Sequence, residues 1–98
     1  IIEIRAAEGG EDAKLLVIEQ WKVYQRAIEL EVFESEILET RPGLLIASVT
    51  GRGAEQVFAH EAGGHRWQRV PPTEKRGRVH TSTVTVVVLA MGVAHGWR

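Results

Sequence analysis

No cysteine occurs among the 98 residues, which excludes disulfides and thiolate metal sites and fits a reducing, cytoplasmic setting. No apolar run approaches the ~18 residues a membrane helix needs, and no signal peptide is visible. A nucleophile elbow, a phosphate-cradling loop and a dinucleotide fingerprint are missing too, so no constellation supports an enzyme. His60-Glu61-Ala62-Gly63-Gly64-His65 mimics a zinc-protease signature without meeting it. That motif needs histidines four apart on one helix face, and here they are five apart with two glycines between. Neither a metal nor a cofactor is expected. The chain opens on Ile1 and not on an initiator methionine, and is expected to be an excised or processed piece.

What is present reads as one globular domain, 1–98, at 44% hydrophobic and 26% charged residues. A chain of this size buries somewhat more than ~60% of its unfolded surface. The net charge of −1 hides an asymmetry. Residues 1–61 hold six Lys or Arg against twelve Asp or Glu, whereas 62–98 hold six cations against Glu74 alone. Such a basic, aromatic-bearing third is the footprint of a nucleic-acid face, or else a solvated loop whose cations pair with the acidic half.

Apolar periodicity gives the elements. Ile1–Arg5 alternates as a short half-buried strand, and Gly9-Gly10 breaks it. Glu11-Asp12 then opens a helix to about Leu30, with carboxylates where the macrodipole favours them. Ala13, Val17, Trp21, Tyr24 and Ile28 form its apolar stripe, widened by Leu16, Val23 and Ala27. Val32–Glu39 and Leu44–Thr50 are strands of a hairpin turned by Arg41-Pro42-Gly43. Ala54–His60 is a short helix. A basic strand ends near Val70, and a last strand spans Val79–Met91. The fold class is α+β, with helix packed on a largely antiparallel sheet in the order β-α-β-β-α-β-β. The apolar Val84–Met91 segment is expected as an exposed edge that invites dimerisation.

The densest stretch runs from Gly64 to Ser82: five cations, one carboxylate and two adjacent prolines lie between apolar runs. Pro71 and Pro72 fix φ and remove backbone donors, so a rigid loop links the two strands there. Thr73 is then held outward with a donor and an acceptor on one hydroxyl, suited to a base edge or a phosphate.

His-Arg-Trp-Gln-Arg-Val-Pro-Pro-Thr-Glu, followed by Gly-Arg-Val-His-Thr-Ser, resembles the decoding segment of bacterial class I peptide chain release factors. Pro71-Pro72-Thr73 is similar to the Pro-x-Thr version of the type 1 members, which read UAA and UAG, and not to the Ser-Pro-Phe of the type that reads UGA. The resemblance runs from Ile2 to about Leu89 and implies translation termination in the ribosomal decoding centre, with the small subunit and the mRNA stop codon as partners. By position, Thr73 would read the first two bases and His80 would stack on the second and separate it from the third. Gln68 and Thr81 would meet the third, where hydroxyl and amide groups can rotate to take either purine. Without the flanking motif, His80 reads first as a half-buried strand histidine.

Gly9, Gly10 and Asp12 are, from the residues alone, a flexible helix start. The resemblance makes them the helix tip whose backbone selects the first uridine. Arg66, Arg69, Lys75, Arg76 and Arg78 would contact the RNA backbone. The family's catalytic Gly-Gly-Gln loop and N-terminal helical domain do not occur in these residues, and 90–98 departs from the family's acidic continuation. A codon-recognition module without release chemistry is expected. A stand-alone ribosome-binding rescue module and an inactive fragment are the alternatives.

Overall fold

The computed structural model describes residues 1–72 and 74–90. Thr73, the tail 91–98 and the Met91 end of the expected last strand lie outside the described residues. The elements are β1 (Ile2–Glu8), α1 (Gly10–Glu31), β2 (Glu34–Arg41), β3 (Leu44–Thr50), α2 (Ala54–Ala59), β4 (Gly63–Arg69) and β5 (His80–Val88). Their order is the expected β-α-β-β-α-β-β, and the class is α+β. All strands join one sheet, ordered β2-β3-β1-β5-β4, in which every neighbouring pair is antiparallel.

Helix α1 lies across one face of this sheet. Its buried stripe of Leu16, Val17, Trp21, Tyr24 and Ile28 packs with Ile2, Ile4, Leu45, Ala47, Val84 and Val86. Phe58 from α2 seals one side, edge-on to Tyr24 at 5.4 Å between ring centroids. Burying each large apolar side chain stabilises the fold by roughly 1.5–3 kcal/mol. Val23 does not widen the stripe: it is 52% exposed, because its place on the helix turns it to solvent. Val32 does not start β2 either. It takes a left-handed conformation (φ 58°) as the cap of α1, donating its N–H to Glu29, while the Phe33 N–H reaches back to Ile28.

The edge expectation needs correcting. Strand β5 is interior, bonded to β1 on one side and β4 on the other. The edges are β2 and β4, so the exposed-edge argument for dimerisation loses its basis. At the end of β1 and β5 remote from Gly9, the Ile1 amine donates to the Leu89 carbonyl (2.7 Å) and the Leu89 N–H to the Ile1 carbonyl (2.8 Å). No helix among the described residues is long and apolar enough to cross a membrane.

The two faces of α1 should respond differently to truncation. Leu16→Ala, at a position with 0% exposure, is expected to cost about 2–5 kcal/mol in urea denaturation. Val23→Ala on the solvent side should cost less than ~0.5 kcal/mol.

Candidate nucleic-acid interface

Gly9, Gly10, Asp12, Gln68, Arg69, His80 and Thr81 gather at one pole of the sheet, where β1 ends, α1 begins, β4 ends and β5 starts. Gly9 adopts a left-handed φ of 111° that turns β1 into the helix. Strand β5 passes so close that a Cβ on Gly9 would collide with Ser82 Oγ and stand 2.6 Å from Ser82 Cβ. Only glycine fits there. No side chain caps α1, and the Asp12 and Ala13 N–H groups both turn back to the Gly9 carbonyl at 3.1 and 3.4 Å. The N–H groups of Gly10 and Glu11 therefore have no partner within the helix.

Asp12 is 3% exposed. Ser82 Oγ donates to one of its carboxylate oxygens at 2.9 Å, and Arg69 donates to both, at 2.5 and 3.4 Å. Burial alone would raise this carboxyl. Hydrogen bonds from Arg69 and Ser82, with the charges of Arg69 and His80, more than offset that and hold it below its ordinary value.

The β4–β5 ladder sorts the remaining residues by face. Arg69 stands opposite His80, Gln68 opposite Thr81 and Trp67 opposite Ser82. Because side chains alternate along a strand, Arg69, His80 and Ser82 share the helix side, whereas Gln68 and Thr81 share the open side and are both exposed. The loop between the strands is tied by Glu74. Its carboxylate accepts from the Arg76 N–H (3.0 Å) and from Arg78 Nε (3.2 Å), and lies 2.6 Å from His80 Nε2. The Arg76 N–H leads in holding the Glu74 carboxyl below the usual range, against desolvation, with His80 and Arg78 adding to it. The Glu74 N–H donates to the Pro71 carbonyl at 2.9 Å.

Behind the site, a hydrogen-bond chain anchors β4 to α1. Trp67 Nε1 donates to Gln20, Gln20 donates to the Tyr24 hydroxyl, and that hydroxyl donates to Glu61, at 2.9, 2.8 and 3.0 Å. Burial, with Glu61 alongside, pushes the Tyr24 hydroxyl above its ordinary range.

Several expected contact residues are buried or already paired within the fold. The Asp12 carboxylate and Arg69 hold each other, so neither has its charge free for RNA in this arrangement. Arg78 is drawn to Glu74. Pro71 is buried, and Pro72 is the exposed proline. Arg66, Lys75 and Arg76 are exposed, with no carboxylate in ion-pair range among the described residues. Thr73 lies outside the described residues. Sequence reasoning missed Glu74 and Ser82 as organising groups. Glu74 was visible as the lone carboxylate among five cations; Ser82 carried no such signal. Across the sheet, the opposite edge β2 carries Glu34, Glu36 and Glu39, all exposed.

A model of the PCRF domain matches residues 1–86. Peptide chain release factor 1 of Thermus thermophilus is 45% identical over 95 residues, covering 91% of this chain and 27% of its own. Peptide chain release factor 1 of Syntrophobacter fumaroxidans is 48% identical over 95 residues, with the same coverage. Among solved structures, RF2 of Thermus thermophilus superposes with a TM-score of 0.83 at 28% identity, covering 93% of this chain and 31% of that one. The chain thus spans about a quarter of the length of the curated relatives it matches.

Because the folded carboxyl of Asp12 titrates below its ordinary 3.8, its stabilisation is complete above that value and is lost as pH falls through the folded one. Asp12→Asn should therefore be less stable than wild type at pH 6, with the gap closing on acidification below pH 3.8, as followed by urea denaturation across pH. The loss at pH 6 should fall short of the ~3–5 kcal/mol of a fully buried pair, since the Arg69 side chain is 26% exposed.

Proposed function

Because the chain belongs to the PCRF domain family, we propose that it is the codon-reading part of a type 1 peptide chain release factor, binding UAA and UAG in the decoding site of the small ribosomal subunit. The observation that carries this reading is the division of the β4–β5 ladder: His80 on one side, the Gln68 and Thr81 pair on the other. Neighbouring bases of one codon, splayed apart by a strand edge, would meet different chemistry on its two faces. Single-stranded RNA is read in this way, by unstacking bases and offering each its own partners.

In this reading, the free N–H groups at the tip of α1 meet the first uridine and the Thr73 hydroxyl reaches the first two bases. The His80 ring stacks on the second base. Gln68 and Thr81 take the third, their amide and hydroxyl turning to suit adenine or guanine. A stack contributes ~1–3 kcal/mol and a neutral hydrogen bond ~0.5–1.5 net, so three bases give modest affinity and the ribosome supplies the rest. Exposed Arg66, Lys75 and Arg76 add attraction to phosphates without sequence preference. Gly-Gly-Gln does not occur in these residues, so the share of termination proposed for them is recognition.

His80→Ala should weaken binding to ribosomes programmed with UAA by ~1–3 kcal/mol and leave binding at a sense codon unchanged. Lys75→Gln should weaken binding equally at every codon and flatten its salt dependence. Equal His80→Ala losses at both codons, with the thermal melt unchanged, would make His80 structural and defeat the decoding assignment.

Exchanging Pro71-Pro72-Thr73 for Ser-Pro-Phe removes the hydroxyl and introduces a ring. Weaker binding at UAG is expected in the same assay, without complete conversion of specificity because Gln68 and Thr81 remain. Undiminished UAG binding would count against the loop.

A further inference from the structure

We propose that the Asp12–Arg69–Ser82 cluster is a gauge, which sets the distance between the tip of α1 and the β4–β5 hairpin and so governs first-base selectivity without touching RNA. The inference rests on the codon-reading proposal and assigns Asp12 a positioning role. The two surfaces that would read one codon sit on separate elements: first-turn N–H groups on α1, and His80, Gln68 and Thr81 on the hairpin. Asp12 joins them at the pole itself, accepting from Arg69 at the end of β4 and from Ser82 near the start of β5. The next polar link, Gln20 to Trp67, lies eight residues further along the helix, ~12 Å away.

Two features make this more than a generic ion pair. A buried charge pair often stabilises a fold no better than apolar residues of the same volume would, so stability alone does not account for it. Its charge-assisted bonds are directional, however, and the forked guanidinium fixes geometry as well as energy. Independently, the backbone of Gly9 already stands against Ser82, with no room for a Cβ. The carboxylate draws the helix tip inward while the glycine lets it arrive, and the separation is defined from both sides. Opening the cluster would shift the tip relative to the hairpin while the apolar core, anchored at Leu16, Val84 and Val86, stays packed.

The test compares wild type, Asp12→Asn and Asp12→Glu by two readouts. The first is affinity of the chain for ribosomes carrying UAA, CAA or UAC in the decoding site. Asp12→Asn is expected to reduce the UAA-over-CAA preference about tenfold while the UAA-over-UAC preference and the salt slope stay within twofold; Asp12→Glu, which keeps the charge but lengthens the arm by one carbon, should recover only part of the loss. A uniform loss at all three codons, or an unchanged first-base ratio, overturns the gauge. The second readout needs no RNA: the Gly9 Hα to Ser82 Hβ NOE should fade in Asp12→Asn while NOEs within the core persist. An NOE at full strength in Asp12→Asn also overturns it. If wild type itself shows no preference for UAA over CAA, the codon-reading proposal fails and takes the claim on selectivity with it, whereas the NOE still reports whether Asp12 holds the helix tip against β5.

Discussion

Antiparallel pairing between the first and last strands, β1 and β5, is the constraint on which the rest of the structure depends. It places Ile2 beside Val88 and Glu8 beside Thr83, and so delivers Gly9 to Ser82. A slip of one residue would turn Ser82 to the open face, strip Asp12 of a partner and bring Thr81 to the helix side. The register is irregular between Ala6 and Glu8, where β1 gives way to the helix. An irregularity at that point re-aims the chain and lets the tip of α1 meet β5 without disturbing the ladder beneath. The apolar alternation of Ile2, Ile4, Val84 and Val86 holds the register, because any shift exposes those side chains.

The same strand order separates charge. Acidic β2 and basic β4 are the two edges, with three strands between them. A polyanion approaching this sheet meets attraction at one edge and repulsion at the other, which orients encounter. The near-neutral total conceals this polarity, since what matters to a charged partner is the placement of charge. Glutamates along β2 also discourage the free edge from pairing with another strand.

Local structure was largely legible in the sequence. The apolar stripe of α1, the Pro42-Gly43 turn with Gly43 in its left-handed conformation, and the Leu44–Thr50 strand each follow from periods and turn chemistry within a few residues. The Gln68 and Thr81 assignment came through a motif, and their facing positions emerged only from the register, since the intervening loop hides the pairing from any local pattern. What failed was non-local. Whether Val84 lies at an edge or inside depends on β1, about eighty residues upstream, and the partners of Asp12 lie 57 and 70 residues away. Counting Arg69 as a free cation was the same error: a cation in a basic run reads as available until the fold brings a buried acid to it. Val32 failed for another reason. Its β-branch favours strand, yet helix closure captured it, because satisfying the last carbonyls of α1 outweighed its own conformational preference.

The mutual hydrogen bonds of Ile1 and Leu89 put both tethers of the described fold at a single point. Strands β1 and β5 run from there to the opposite pole as a paired rod, about 20 Å long at ~3.3 Å per residue. A body attached through either tether hangs from one pivot, at the far end of a stiff lever from the helix tip and the hairpin. A tilt of a few degrees at the tip then displaces that pivot by ångströms, and anything extending beyond it by proportionally more.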